Sequence, residues 1–138
     1  MDKNNQSYNK EEICKDFQNH VSKFLVRHKS ILDIMSKMEE YNARINRAVV
    51  KSVTSCGCIS INGKKQYFDA SSYEDLANVV NSHLEGKLCE VCKENLELEI
   101  GNYLFYLGGI CNTLDLDLVD IMCKEFERNE TLGVYSLK

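Results

Sequence analysis

The chain has 138 residues, 43% hydrophobic and 28% charged, with a formal net charge of −4. That length suits one domain with its own core, the negative balance argues against a nucleic-acid binder working through phosphates, and no apolar run approaches the roughly 18 residues of a membrane span. The first ten residues lack the apolar centre of a secretion signal, so a cytoplasmic protein is expected, in which seven cysteines indicate metal or redox chemistry before disulfides.

Residues 1–9 are polar and read as a frayed tail ahead of a single helical domain over 10–138. From Lys10, Ile13, Phe17, Val21, Phe24 and Leu25 recur at helical spacing, and the helix is expected to end or bend near Arg27–Lys29. Ser30 can cap a second helix whose stripe is Ile31, Ile34, Met35, Met38, Ile45, Val49 and Val53. On its wheel Asn42 falls within the stripe and Glu39 beside it, so both are expected to face inward. The absence of proline leaves such long helices unbroken.

At about 54–70 the pattern changes. Cys56-Gly-Cys58 leads into Ile59-Ser-Ile61, then Asn62-Gly63, then Lys64-Lys-Gln-Tyr-Phe68. Asn-Gly between two short alternating runs predicts a β-hairpin closed by a type I′ turn, because both residues accept positive φ. Ser71 and Ser72 ahead of Glu74 and Asp75 form a capping pattern for a short helix burying Leu76, Val79, Val80 and Leu84, with His83 near its end and Gly86 as its stop.

A long helix follows, from Cys89 or Glu90 to Asn112, apolar almost all round through Leu96, Leu98, Ile100, Tyr103, Leu104, Phe105, Tyr106 and Leu107. Such a helix is covered by other helices or by a second subunit. Glu99 and Asn102, three apart on one face, are polar groups that need partners or a ligand in that setting. Asp115 or Asp117 can cap a last helix with Leu118, Ile121, Met122 and Phe126 inward, and the tail from Glu130 is expected to dock as an extended segment. The fold class is therefore all-α: four to five helices in a bundle, with a small hairpin insertion carrying cysteines.

Cys56-x-Cys58 and Cys89-x-x-Cys92 are two chelating pairs separated by 30 residues. Thiolates at such spacing can complete a tetrahedron of sulfur around Zn²⁺, and four of them leave no position for water, which makes such a site structural. The ion would pin the hairpin to the start of the long helix, whose N-terminal dipole favours thiolates. Free thiols, a redox pair and an iron–sulfur cluster are the alternatives. Cys14, Cys111 and Cys123 stand alone near apolar stripes and read as small core residues.

The stretch E-I-G-N-Y-L-F-Y-L-G-G-I-C-N-T-L-D-L-D-L, with K-E-F-E-R-N-E after it, resembles the second motif and following helices of MazG-like all-α nucleoside triphosphate pyrophosphohydrolases. The resemblance spans about residues 97–129 and, more loosely, 30–53. It implies a helical bundle, usually a homo-oligomer (dimer or tetramer). It also implies a site where an E-x-x-E helix and an E-x-x-D helix hold Mg²⁺ against nucleotide phosphates, chemistry suited to hard oxygen ligands. Carried over, Glu39 and Glu99 would be metal ligands or general base, Asn42 and Asn102 would line the nucleotide and metal site, and Lys124 and Asn129 would contact phosphate or base. This chain departs from the pattern, with Asn42 and Asn102 where the family carries carboxylates. The expected function is thus a nucleotide-binding protein with weak or lost pyrophosphohydrolase activity. A non-catalytic zinc-containing interaction or regulatory module is the alternative, in which the four polar residues form a buried network fixing helix register.

Overall fold

The computed structural model describes residues 9–133. Over these the chain is mostly helical, with five α-helices and one two-stranded antiparallel sheet among the described residues. All but one residue of the expected N-terminal tail, and the end of the expected docking segment, lie outside them.

Helix α1 (Lys10–Phe24) begins where the Asn9 side chain accepts from the Glu11 N–H, and it ends at Leu25, slightly before the expected bend. Helix α2 (Ile31–Lys51) is capped by Ser30, as its sequence predicts. It runs into a π-helical turn over Ser52–Cys56, in which the Gly57 N–H reaches back five residues to the Ser52 carbonyl. Gly57 ends the turn at φ 77°, a conformation glycine adopts without steric cost.

The predicted hairpin does not form. Strand β1 (Ile59–Ile61) pairs with β2 (Leu84–Gly86), in the register Ile59 to Gly86 and Ile61 to Leu84. Neither Asn62 nor Gly63 has the positive φ that a type I′ turn demands. The chain instead makes a long excursion. The Gln66 side chain closes it by accepting from the Asn81 N–H and donating to the Asn81 carbonyl, while Asn62 N–H donates to the His83 carbonyl. Strand β2 leads within three residues into Cys89, the N-cap of α4, and Gly86 stands beside Cys58.

Within the excursion, α3 (Tyr73–Val79) starts at Ser72, which accepts from the Asp75 N–H. The expected buried face is absent: no residue of α3 is buried, and Val79, Val80 and Leu84 are exposed. The helix stops at Val80, which is extended, so Gly86 belongs to β2 and His83 lies beyond the helix at φ 61°.

Helix α4 (Glu90–Thr113) packs antiparallel along α2, and α1 packs against the C-terminal half of α4. The core is Val21, Leu25 and Ile34, flanked by Phe17, Met38, Phe105, Tyr106 and Ile110. Gly108 and Gly109 let α1 approach closely, since a Cβ on Gly109 would stand 2.6 Å from Leu25 Cδ2. The remaining flank of α4 is uncovered, with Leu98 63% and Leu104 43% exposed. Helix α5 (Leu118–Leu132) is capped by Asp117, which accepts from the Asp120 N–H, and continues three residues into the expected extended tail. Its expected inward residues Ile121, Met122 and Phe126 are exposed, because α5 meets the rest of the molecule mainly at its first turn. Gln18 makes that junction: its amide donates to Asn112 Oδ1 and to the Leu116 carbonyl, and its Oε1 accepts from the Leu118 N–H. Of the three isolated cysteines only Cys111 is buried; Cys14 and Cys123 are exposed, correcting their expected core role.

Candidate metal centre

Three local features bring the four cysteines to one end of the α2–α4 pair. The π-helical turn places Cys56 at the end of α2, and the left-handed Gly57 turns the chain so that Cys58 follows on the same side. The β1–β2 pairing fixes Cys58 beside Gly86, whose missing side chain is essential there. A Cβ on Gly86 would come within 2.6 Å of the Cys58 carbonyl oxygen. Three residues beyond Gly86, Cys89 is the N-cap of α4 and its sulfur accepts from the Cys92 N–H at 3.5 Å.

The four sulfurs Cys56, Cys58, Cys89 and Cys92 all lie within 4.8 Å of one another, with Cys56 Sγ and Cys89 Sγ 3.7 Å apart. All four are free thiols. A tetrahedral Zn–S₄ unit with bonds of about 2.3 Å has sulfur–sulfur edges of about 3.8 Å, so this pair already stands at the spacing of one edge. A disulfide would need about 2.0 Å. Cys56 is exposed and the other three are half-buried, which puts the cluster at the surface of the bundle end.

The electrostatics fit a cation. The Cys92 N–H and the neighbouring Cys92 and Cys56 side chains bring Cys89 down to about 7. The Ser52 side chain favours the Cys92 thiolate, yet the adjoining Cys89 sulfur and burial push Cys92 up to about 12. Cys56 is likewise raised, its hydrogen bond from the Cys58 backbone being outweighed chiefly by Cys89. One sulfur ionises at the expense of its neighbours, as expected of thiolates crowded with no positive charge between them; a divalent ion removes that conflict. Cys58 also donates to the Ser52 carbonyl at 3.8 Å, a bond it would give up on coordination. That carbonyl keeps the Gly57 N–H.

The carboxylate and amide residues do not converge in the same way. Glu39 and Asn42 are exposed on α2, against the expectation that they face inward: the face of α2 turned to α4 is the adjoining one, carrying Ile34, Tyr41 and Ile45. Glu99 and Asn102 are half-buried on α4. One Glu99 oxygen lies 4.0 Å from Arg44 Nη1, and the other is buried with no hydrogen-bond partner. Arg44 also donates to Glu40, and its guanidinium lies over the Tyr41 ring, which stacks on Tyr106. Lys124 pairs with Asp120 on its own helix, and Asn129 is exposed on α5.

Sequence reasoning missed Ser52, Gln18 and Arg44. Ser52 carried a faint signal, four residues before Cys56 at the end of an apolar stripe. No protein family, curated protein or solved structure matches the chain.

Proposed function

We propose that this chain is a helical module clamped by a structural zinc ion on Cys56, Cys58, Cys89 and Cys92, and that its role is binding or regulation rather than catalysis. The convergence of four sulfurs from two distant segments to within 4.8 Å carries this reading. Soft thiolate ligands in a tetrahedral set select zinc over the hard cations that phosphate chemistry uses. The ion would join the end of α2, the edge of β1 and the first turn of α4, where the α3 excursion offers no buried residue to hold them. A zinc so bound contributes folding free energy directly. The test is elemental analysis of protein purified without added metal, followed by melting with and without a chelator. About one zinc per chain and a marked loss of thermal stability on chelation are expected; stability indifferent to metal removal would defeat the reading.

A second reading has one observation in its favour. The partnerless oxygen of Glu99, beside Arg44 and the Tyr41–Tyr106 stack, is a buried acceptor awaiting a donor or a cation. In a divergent MazG-like nucleotide-binding protein, as the resemblance implies, Glu99 and Asn102 would receive Mg²⁺ or the nucleotide itself. Pyrophosphate release from a panel of nucleoside triphosphates with Mg²⁺ or Mn²⁺ decides it. Release no greater than that of Glu99→Ala would end the catalytic form of this reading.

A further inference from the structure

We infer that the four-cysteine centre is a peroxide-responsive switch: Cys56 and Cys89 leave the ion to form a disulfide with each other, and the zinc is released. The inference rests on the zinc reading above and adds how that site is regulated. Its basis is the unequal placement of the four sulfurs. Cys56 is exposed, at the last residue of the π-helical turn, while Cys58, Cys89 and Cys92 are half-buried. Cys89 Sγ stands 3.7 Å from Cys56 Sγ and comes from the opposite stem, 33 residues on. A solvent-open thiolate with a second sulfur beside it is the arrangement in which oxidation runs on to a disulfide. Closing the pair to the length of an S–S bond takes an approach of about 1.7 Å. The core does not resist that approach. Ile34 lies in the first turn of α2, about 30 Å along the helix axis from Cys56, and α3 has no buried residue to hold the stems in place. Of the remaining cysteines, Cys111 is buried, and exposed Cys14 and Cys123 do not belong to the cluster.

The step balances with a hydroperoxide as the oxidant. The Cys56 thiolate attacks one peroxide oxygen and the O–O bond breaks, leaving a Cys56 sulfenic acid and a hydroxide. The Cys89 thiolate then attacks the Cys56 sulfur, the S–S bond forms, and a second hydroxide departs. Two sulfurs have lost the two electrons that the two oxygens gained. Cys58 and Cys92 alone no longer close a tetrahedron around the ion. The ion dissociates, and these two thiolates and the two hydroxides take up protons from solvent. The disulfide closes the loop that the ion had closed, so the end of α2 and the start of α4 stay joined. What changes is the hold on β1. Ile59–Ile61 keeps its pairing with Leu84–Gly86, but Cys58 no longer ties it to a metal.

The test treats the zinc-loaded full chain with hydrogen peroxide up to about ten equivalents. A chromogenic chelator reads the freed metal against untreated protein, and mass spectrometry of unreduced peptides reads the linkage. One zinc released per disulfide, a Cys56–Cys89 link, and recovery of bound zinc after a thiol reductant and added zinc are expected. Cys14→Ser/Cys123→Ser, which removes the exposed thiols outside the cluster, should respond as wild type does. Zinc absent from the untreated protein defeats both the zinc reading and the switch. Zinc present at first but retained through the oxidant, released without a Cys56–Cys89 link, or not regained after reduction overturns the switch alone. A response lost in the double variant overturns it equally.

Discussion

Among single residues, Gly86 and Gln18 do work that their types alone do not announce. Gly86 holds φ 87° with its absent side chain against the Cys58 carbonyl, and backbone cannot yield as a side-chain tip does. Gly86→Ala is expected to cost about 2 kcal/mol or more. Zinc affinity should fall with it, because the strand that presents Cys58 is displaced; a competitive chelator titration reads the affinity and a melt reads the stability. Gln18 satisfies three polar groups at the α4–α5 turn with one side chain. Gln18→Ala leaves the Leu118 N–H and the Leu116 carbonyl to find water and should cost about 1–3 kcal/mol, measured by denaturant melt, with zinc content unchanged because the metal centre is at the other end of α4.

At the scale of elements, the helices and their caps were legible in the sequence, while the pairing of the strands was not. Ser30, Ser72 and Asp117 each accept the backbone N–H that a local rule assigns to them, while Asn9, read as part of the tail, caps α1 in the same way. Capping and helical periodicity depend on neighbours within four residues, and such signals survive in one sequence. The partner of β1 is decided 25 residues away, where Leu84–Gly86 runs into the cysteine-capped α4, and the local Asn62-Gly63 signal loses to it. The four-cysteine site was readable because chelation imposes short spacings within each pair. The inward placement of Glu39 and Asn42 was misjudged because the apolar stripe of α2 is wide: the wheel does not say which part of it meets α4 and which is left exposed. The cluster also predicts a pH response. Cys56 and Cys92, held above the ordinary thiol range, must release their protons to solvent as the ion binds, whereas Cys89, brought down to about 7, is already ionised above that pH. At pH 8 binding should therefore release at least about two protons per zinc. Below pH 7 Cys89 adds its own, so affinity falls more steeply as acid is added. Calorimetry of zinc binding in buffers of different ionisation enthalpy counts these protons.

The whole molecule has a small core of its own and extends along one helix pair. At one end the Gln18 amide ties α1 to the α4–α5 turn; at the other, four sulfurs gather the end of α2, β1 and the start of α4. No helix among the described residues is long and apolar enough to cross a membrane. Zinc-edge X-ray absorption on the purified protein reads the metal's ligands themselves. A single shell of four sulfurs at about 2.3 Å is expected, which Cys56→Ser or Cys89→Ser should break. A shell containing nitrogen or oxygen in the unaltered protein, or no stoichiometric zinc to measure, would contradict it.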